Sequence, residues 1–341
     1  MGRQRMKYKL KKKYFVVTFG CQMNKADSEK IEAVYKKKGY KKAKSLKETD
    51  VVIINSCSVR LAAEHRVFGL VNNLSKYKKI KIILTGCMLR YSREKLKYLL
   101  PEVTQFLKIK DLVKDIKPLR KDKVHAWVSI MEGCNNFCTY CVVPYSRGRE
   151  VSRPFEEIIC EVRELVKKGF KHITLLGQNV NSYKNNFAKL LAVLHDIKDL
   201  EKISFMTSNP QDLSTYIIRS IKLPKIDRYL HLPVQSGDNE ILRRMNRKYT
   251  AEEYLALVKR IRKEIPNIEI GTDIIVGFPG ETRQQFENTV NLCRKAKFCV
   301  GYISKYSPRS GTAAYNFKDN ISFIEKKRRW RIINKLINKI N

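Results

Sequence analysis

The sequence predicts an α/β protein with an open parallel βα domain at the N-terminus, followed by a partial (βα)6 barrel. Apolar, β-branched runs alternate with amphipathic stretches along the chain, which is typical of parallel sheets with helical crossovers. A cysteine follows each of the first three runs at the same place. The chain has 341 residues, of which 43% are hydrophobic, and this is enough to bury the cores of two domains.

The N-terminal domain is predicted at residues 14–105, after a basic tail at residues 1–13. Its three units begin with YFVVTFGC, DVVIINSC and KIILTGC, and each run precedes an amphipathic helical pattern. Cys21, Cys57 and Cys87 therefore follow predicted strand ends, which share one edge of an open parallel sheet. One such cysteine is usually an ordinary buried residue, but three equivalent ones favour a metal site with three ligands.

A charged segment at residues 106–124 is predicted to be a linker, and the second domain follows at residues 125–315. Its strands are predicted in HAWVSIME, KHITLLGQNV, KISFMTS, RYLHLPVQSG, IEIGTDIIVGF and CVGYISKYS. Six consecutive βα units fit a partial α/β barrel, in which functional loops follow the strand ends. Pro154 and Thr250 mark the starts of two helices. A basic amphipathic helix is predicted at residues 316–341.

Three more cysteines stand close together after the first predicted strand of the second domain, in EGCNNFCTYCVVPYSRGRE. Cys134, Cys138 and Cys141 have the spacing C-x3-C-x2-C, which lets one loop wrap three corners of a cube. Gly133 permits a tight entry into that loop. Three thiolates suit a soft metal or an iron–sulfur cluster that keeps one iron free for a further ligand.

Two other readings of these cysteines stay open. The spacing i, i+4, i+7 also places them on one face of a helix, as buried core residues, although Gly133 and Pro144 oppose a regular helix. A zinc site is the second reading, with His125 or Cys160 as the fourth ligand. The paired C-x2-C knuckles of structural zinc sites are absent from the sequence.

The composition indicates the partner and the compartment. The net charge is +37, from 70 Lys and Arg against 33 Asp and Glu, which predicts a polyanionic partner such as RNA. The lysines are spread over every segment, so a lysine-rich composition alone explains part of this charge. No apolar stretch reaches the roughly 20 residues of a membrane span. Nine cysteines, an odd number, favour metal ligation in a reducing compartment, and we expect a cytoplasmic protein that does not contact membranes.

At this point the sequence resembles a known family. C-x3-C-x2-C after the first strand of a partial barrel is similar to the radical S-adenosylmethionine (SAM) enzymes, and GCNNFCTYCVVPYSRGREVSRP resembles their methylthiotransferase branch. Within that branch the chain resembles the MiaB family, which methylthiolates isopentenyladenosine in tRNA. The resemblance extends from Phe15 to Ala314 and rests on TFGCQMNKADSE, GQNVNSY, LHLPVQSG, RRMNRKYT, DIIVGFPGET and YSPRSGTAA.

The resemblance implies roles for both cysteine trios. Cys134, Cys138 and Cys141 would be the catalytic trio that holds a 4Fe–4S cluster, whose open iron binds SAM and yields a 5′-deoxyadenosyl radical. A second 4Fe–4S cluster, at Cys21, Cys57 and Cys87, would supply or carry the sulfur. An unactivated aromatic C–H bond has no useful acidity, so acid–base chemistry cannot open it and a cofactor radical is required.

The expected reaction is methylthiolation at C2 of N6-isopentenyladenosine next to the anticodon. The resemblance implies as partners the anticodon stem-loop of tRNA, an electron donor such as a flavodoxin or ferredoxin, and a sulfur source. Two alternatives share the chemistry: methylthiolation of threonylcarbamoyladenosine in tRNA, or of an aspartate of a ribosomal protein. A non-catalytic, zinc-bearing RNA-binding module is the alternative from a different class.

Further residues are weaker candidates. Gln178 and Asn179 follow the second strand of the barrel, and Gly277 and Gly280 follow a later one, so all four could contact SAM. Ordinary turns are the alternative at each place. The remaining candidates are Tyr145, Arg147 and Arg149 as RNA contacts, Cys160, Cys293 and Cys299 as core thiols, and His231 as a packed residue.

The sequence departs from the family pattern at three points. Asn209 stands where the family usually has histidine, and Asp238 stands where serine is common. Both changes lie in the barrel and bear on the active site. The family's small C-terminal β-barrel, the TRAM domain, is not found in the sequence, which is expected to affect the affinity for tRNA more than the chemistry.

Overall fold

The computed structural model describes residues 12–77, 79–114 and 116–338. The chain divides into two compact units, Met1–Lys121 and Asp122–Asn341. The predicted basic tail lies outside the described residues as far as residue 11, and the first strand begins at Lys13. Each unit has its own β-sheets and its own apolar core residues.

The first unit is built on a five-stranded parallel sheet in the order β2-β1-β3-β4-β5. Its strands are β1 (Lys13–Thr18), β2 (Lys41–Lys42), β3 (Val51–Ser56), β4 (Lys81–Gly86) and β5 (Gln105–Phe106). Its helices are α1 (Gln22–Lys37), α2 (Leu61–Leu74), α3 (Arg93–Leu99) and α4 (Ile109–Leu112). This order is that of a doubly wound open sheet, which binds ligands beyond the carboxyl ends of its strands.

Period-two alternation along the central strands explains why helices cover both faces of this sheet. In β3, Val52 and Ile54 join one apolar core, while Val51 and Ile53 join the core on the opposite face. All six residues of β3 are buried, as expected for a parallel strand between two helical layers. The predicted open parallel βα domain is confirmed.

The segment predicted to be a linker, residues 106–124, differs from the prediction because it belongs to the first unit as far as Lys121. Phe106 lies in β5, and Leu112 in α4 is buried in the same core as Ile53. Arg120 forms an ion pair of 2.9 Å with Glu29 of α1. Elements of two and four residues among many lysines carry too little periodicity to be predicted.

The second unit is a partial barrel of six parallel strands in chain order. The six barrel strands are β6 (His125–Ser129), β9 (His172–Leu176), β10 (Lys202–Phe205), β11 (Tyr229–His231), β12 (Glu269–Val276) and β13 (Val300–Lys305). Two short strands, β7 (Met131–Glu132) and β8 (Val151–Ser152), lie between β6 and β9 in the chain. Two three-stranded sheets, β10-β9-β6 and β11-β12-β13, are joined by an isolated parallel bridge between Ile203 and Ile226. The six barrel strands lie where the sequence predicts them, and β7 and β8 form a separate antiparallel ribbon.

Helices cover the outer face of this barrel. In chain order the helices of the second unit are α5 (Val143–Arg147), α6 (Phe155–Lys167), α7 (Phe187–His195), α8 (Thr215–Ile221), α9 (Asn239–Arg244), α10 (Ala251–Glu264), α11 (Arg283–Ala296) and α12 (Phe323–Asn338). Pro154 precedes α6, and Thr250 caps α10 by accepting a hydrogen bond from the Glu253 N–H at 3.2 Å. Both predicted helix starts are therefore confirmed.

Alternate residues of the barrel strands face opposite ways. Val128, Ile173 and Ile274 join the large apolar core with the helices. The residues between them lie on the inner face and are largely polar: His125 hydrogen-bonds Thr174 across β6 and β9. The barrel therefore has an apolar core between its strands and helices, and polar side chains on the inner face of its strands.

The C-terminal helix α12 packs along β13. Asn338 bonds both backbone groups of Gly301, at 2.9 and 2.8 Å, and Trp330 Nε1 donates to the Ile303 carbonyl at 2.9 Å. The helix begins at Phe323 instead of the predicted residue 316, and residues 339–341 lie outside the described part of the chain. Within the described residues, no helix has both the length and the apolar character that crossing a bilayer requires.

Candidate functional site

The loop that carries Cys134, Cys138 and Cys141 is closed at its base by the ribbon of β7 and β8, in which Glu132 pairs with Val151. Gly133 opens the loop with φ of +81°, and a Cβ at this position would lie 2.1 Å from the Arg149 carbonyl oxygen. Only glycine fits such a place, because another residue would clash with backbone. The sequence-based role of Gly133 as a tight entry agrees with this geometry.

The middle of the cysteine loop is fastened to the turn after α9. The Thr139 N–H donates to the Met245 carbonyl at 3.1 Å, and the Thr139 hydroxyl donates to the Arg244 carbonyl at 2.8 Å. Asn246 Nδ2 donates to two loop carbonyls, and the Ala314 N–H donates to the Thr139 carbonyl at 2.8 Å. These clamps involve amides and a hydroxyl, and none involves a thiol.

Each of the three cysteines is partly buried. The Cys141 N–H donates to the Cys138 carbonyl at 2.9 Å, which makes a tight turn between them. Burial raises the pKa of the Cys134 thiol, and burial together with the charge of Cys138 raises the pKa of Cys141 to about 12. Iron cations would offset this penalty, because metal binding replaces the thiol protons.

Three thiolates suit an iron–sulfur cluster or a soft metal ion. Among the described residues, no three His, Cys, Asp or Glu side chains are grouped closely enough to hold one metal ion. A zinc ion needs its ligands around a single point, whereas a cubane binds each thiolate at a different iron. His125 instead bonds Thr174, and Cys160 is exposed on α6. The zinc site stays an alternative, without an assigned fourth ligand.

A cation that the sequence analysis did not assign lies beside the trio. Arg247, partly buried, donates from Nη1 to Cys138 Sγ at 3.5 Å. Its other donors reach Asn209 Oδ1 at 3.1 Å, the Pro233 carbonyl at 3.2 Å and the Tyr249 hydroxyl at 2.8 Å. Burial alone would lower the pKa of Arg247, but the neighbouring tyrosines and Cys138 raise it well above its ordinary value.

The first unit brings its own three cysteines to the carboxyl edge of its sheet. Cys21 precedes α1, Cys57 follows β3 and Cys87 follows β4. A Cβ on Gly20 would lie 2.9 Å from Cys57 Cβ, so the first two loops are in contact. Ser56 connects the other two, because its hydroxyl donates to the Thr85 carbonyl at 2.5 Å and accepts from the Met88 N–H at 3.2 Å.

Buried polar side chains support these loops. Asn24 accepts from the Cys21 thiol at 3.3 Å and donates to Asn55 Oδ1 at 3.0 Å. Next to Cys57, Ser58 donates to Glu64 and accepts from Arg90 Nε at 2.6 Å. These contacts fix the loops that carry the thiols. Cys21 is exposed at the edge of the sheet, whereas Cys57 and Cys87 are buried.

Comparison with known proteins decides the family. The radical SAM superfamily model matches residues 128–293, and the model described as uncharacterized protein family UPF0004 matches residues 13–108. A tRNA-2-methylthio-N6-dimethylallyladenosine synthase of Thermoanaerobacter pseudethanolicus is 44% identical over 96% of this chain and 78% of the relative. The chain belongs to this synthase family. Its members are radical SAM methylthiotransferases, and the family resemblance predicted from sequence is confirmed.

Two further comparisons agree with this assignment. A synthase of the same name from Thermotoga petrophila is 42% identical over 96% of this chain and 82% of the relative. Among solved structures, the radical SAM methyltransferase TsrM of Kitasatospora setae matches with a TM-score of 0.66 at 12% identity, over 90% of this chain and 77% of that one. This second likeness concerns the fold alone. Membership of the radical SAM family implies that this methylthiotransferase uses SAM and a 4Fe–4S cluster.

Gln178 and Asn179, the two polar residues predicted to bind SAM, both form hydrogen bonds within the protein. Gln178 Oε1 accepts from the Gly133 N–H at 2.6 Å, which places Gln178 at the entry of the cysteine loop. Asn179 is buried and donates to Asp212 at 2.7 Å, while its Oδ1 accepts from the Asn209 N–H at 3.1 Å. Asn179 therefore orients Asn209, and cofactor contact by either residue stays a prediction.

The glycines after β12 are close to other side chains of the synthase. Gly277 has φ of +69°, and a Cβ there would lie 2.4 Å from Lys326 Cγ. Its N–H donates to Glu281 Oε2 at 2.7 Å, and the Gly280 N–H donates to Asn320 Oδ1 at 2.9 Å. The turn needs glycine for reasons of packing and φ, and its contact with SAM stays a prediction.

The residues predicted to contact RNA fall into two groups. Tyr145 and Arg149 are exposed, and both pack against the Phe137 ring, with Arg149 Cζ 4.2 Å from its centroid. Arg147 is different: its side chain is 5% exposed and pairs with Glu132 at 2.9 Å. Arg147 therefore supports the ribbon, because its guanidinium already has a carboxylate partner.

The remaining cysteines and His231 complete the set. Cys293 is a buried core thiol, as predicted, but Cys160 and Cys299 are exposed, which corrects that prediction. Cys160 lies on the solvent side of α6, between buried residues one and two positions away, and Cys299 directly precedes β13. His231 is packed, as predicted, and bonds Asp273 Oδ2 at 2.9 Å on the inner face of the barrel.

Proposed function

We propose that this chain adds a methylthio group at C2 of N6-dimethylallyladenosine, next to the anticodon of tRNA. The observation that carries the proposal is the pair of cysteine trios at the carboxyl ends of parallel strands in two separate units. They occur in a chain 44% identical to a synthase named for this product. Cys134, Cys138 and Cys141 would hold the cluster that binds SAM.

A 4Fe–4S cluster with one open iron, together with SAM and one electron, supplies a 5′-deoxyadenosyl radical that can open an unactivated C–H bond. The chain's own residues position the reactants and exclude water. Gly133 and the bonds of Thr139 fix the loop that carries the three thiols. The polar inner face of the barrel provides hydrogen-bonding groups, such as those of His231 and Asp273, for a nucleoside.

A second cluster at Cys21, Cys57 and Cys87 is part of the proposal. Thiols suit soft iron ions, and the loops that carry them are held together by hydrogen bonds of Ser56 and Asn24. Such a cluster would deliver the sulfur atom that becomes the methylthio group. SAM would serve twice, once as methyl donor and once as radical source.

The proposal includes the partners that this chemistry needs. The substrate is the anticodon stem-loop of tRNA, which suits the net charge of +37. One electron per turnover would come from a low-potential donor such as a flavodoxin or ferredoxin, and sulfur from a separate source. Because tRNA is modified in the cytoplasm, we place the enzyme there.

Nucleoside mass spectrometry tests the proposal. The gene is expressed in a host that lacks its own methylthiolating enzyme, and total tRNA is digested and analysed. We expect 2-methylthio-N6-dimethylallyladenosine with the wild-type chain and with Cys293→Ala, and none with Cys138→Ala. A product on threonylcarbamoyladenosine instead would assign the alternative tRNA substrate. A methylthio group on a ribosomal protein aspartate would assign the other alternative, and no methylthiolated product of any kind would refute the proposal.

A further inference from the structure

Arg247 is a partly buried cation without a carboxylate partner among the residues that the structure describes. Two other enclosed arginines differ in this respect: Arg329 pairs with Glu281 at 2.7 Å, and Arg147 pairs with Glu132 at 2.9 Å. The acceptors around Arg247 are a side-chain amide, a backbone carbonyl and a tyrosine hydroxyl, all neutral. Its Nη1 donates to Cys138 Sγ at 3.5 Å.

Such an arrangement needs a compensating charge. Removing a cation from water is strongly unfavourable unless an anion accompanies it. The guanidinium is held in one orientation, because Nε and Nη2 are fixed by Tyr249, Asn209 and Pro233, which leaves Nη1 directed at the sulfur. The missing anion therefore belongs at the position of Cys138.

An iron–sulfur cluster on the trio would be that anion. The oxidised core carries two positive charges and three thiolates bring three negative ones, so the assembly is negative overall and becomes more negative on reduction. We propose that Arg247 is the counter-ion of the cluster at Cys134, Cys138 and Cys141, and that it raises the reduction potential of this cluster. The inference rests on the proposed function, because it requires that the trio holds a cluster.

The redox step is a one-electron reduction of the cluster. Reduction adds one electron to the iron core and breaks no bond, and the electron comes from a one-electron donor protein in the cell or from dithionite in the experiment. A fixed positive charge stabilises the more negative, reduced form more than the oxidised one. The N–H···S bond acts in the same direction, as hydrogen bonds to cluster sulfurs do.

Asn209 keeps this cation in place without adding charge. Its backbone N–H donates to Asn179 Oδ1 at 3.1 Å and to Asn181 Oδ1 at 2.9 Å, which fixes its backbone, and its side-chain Oδ1 accepts from Arg247 Nη2 at 3.1 Å. A histidine, the usual family residue here, would introduce a group that can itself be protonated. In this chain the neutral amide leaves the electrostatic role to Arg247.

A redox titration followed by electron paramagnetic resonance tests the inference. The full-length chain is reconstituted anaerobically in a background in which Cys21, Cys57 and Cys87 are alanine, so that one cluster reports. At the poise where the parent is half reduced, we expect Arg247→Gln to lower the ratio of reduced to oxidised cluster at least tenfold, or about 59 mV for one electron. Arg247→Lys, which keeps the charge, should stay within about threefold of the parent.

Arg243→Gln is the matched control, because Arg243 lies four residues earlier, is exposed and pairs with Glu240 at 2.7 Å. It removes the same charge and should leave the potential unchanged. The inference is refuted if Arg247→Gln titrates like the parent. If Arg247→Gln does not load iron, Arg247→Lys tests the inference instead. A tenfold fall in its ratio of reduced to oxidised cluster would show that the shape of the guanidinium matters and its charge does not, which would refute the inference. A parent chain that loads no iron would instead refute the proposed function.

Discussion

Gly133 shows how one backbone position controls the cysteine loop. Its φ of +81° and the 2.1 Å separation between a Cβ and the Arg149 carbonyl leave no room for a side chain. Gly148, at the other end of the loop, has a similar φ of +86° but nothing within 4 Å of its Cβ position. The two glycines therefore separate the effect of backbone conformation from the effect of close packing.

We expect Gly133→Ala to open the loop and to prevent cluster loading, because the new methyl group would meet backbone that cannot move aside. The iron content should fall from about eight to about four per chain. Gly148→Ala should cost about 1–3 kcal/mol, because φ of 86° with ψ of −169° is a backbone region used almost only by glycine, and it should keep its iron. Iron analysis and thermal unfolding after reconstitution measure both effects. Equal iron content in the two variants would contradict this account.

The two trios predict distinct losses when single cysteines are replaced. Cys138→Ala should remove about four irons and abolish reductive cleavage of SAM, since the open iron that binds SAM is lost. Cys87→Ala should also remove about four irons but retain SAM cleavage. Cys293→Ala, in the core of the second unit, should change neither. Iron analysis and chromatography of 5′-deoxyadenosine check these results, and retention of all iron in Cys87→Ala would exclude a second cluster there.

At the scale of elements, the sequence predicted the large repeated features well. Strands such as β3 and β12 carry continuous or alternating apolar residues whose period follows directly from the pleat. The cysteines at the ends of β1, β3 and β4 follow from the geometry of parallel sheets, in which carboxyl ends share an edge. These features depend on local pattern and on topology, and both can be read from the chain.

Features that depend on distant contacts could not be predicted in the same way. The ribbon of β7 and β8 and the edge strands β2 and β5 have two residues each, too few for a periodic signal. Arg247 lies 109 residues from Cys138 in sequence, and its role depends on that contact. The RRMNRKYT motif contained this arginine, but a motif alone does not show what a side chain touches.

The helix α12 is fixed to the barrel by a buried ion pair. Glu281 has a side chain that is 1% exposed, burial raises its pKa, and Arg329 contacts it at 2.7 Å. Arg329→Met would leave this carboxylate without its counter-ion, so we expect a loss of about 3–5 kcal/mol in the free energy of unfolding.

Urea unfolding measures this loss by tryptophan fluorescence. Both tryptophans, Trp127 and Trp330, lie in the second unit, so the signal reports on that unit alone. Arg328→Met is the control: its side chain is 47% exposed and pairs with Glu325 near the surface, so its loss should stay below about 1 kcal/mol. Similar losses of unfolding free energy in both variants would show that the buried ion pair contributes no more to stability than the surface pair.

For the whole molecule, the dominant property is a net charge of +37. A strongly basic protein gains affinity for nucleic acid by releasing counter-ions from phosphates, and this gain falls steeply with salt. We therefore expect binding of an anticodon stem-loop to weaken at least about tenfold between 50 and 200 mM salt. Fluorescence anisotropy with a labelled stem-loop gives this dependence, and a salt-independent affinity would argue against phosphate contacts.

Arg149→Gln refines the same measurement. Arg149 is exposed on the cysteine loop, and its removal should lower the slope of log affinity against log salt by about one. Lys167→Gln, at the end of α6, is the control with the same charge change away from the loop. If both substitutions alter the slope equally, the basic surface acts as a whole and Arg149 has no particular role.

The clamps on the cysteine loop bear on how the enzyme is assembled in the cell. Thr139, Asn246 and Ala314 hold the loop through amide and hydroxyl groups, so the receptacle is shaped by polypeptide before iron arrives. Iron-delivery proteins would then bind a cysteine loop that is already folded, and loss of the cluster by oxidation would leave that loop folded. Repeated rounds of chelation and reloading should accordingly restore the full brown colour each time.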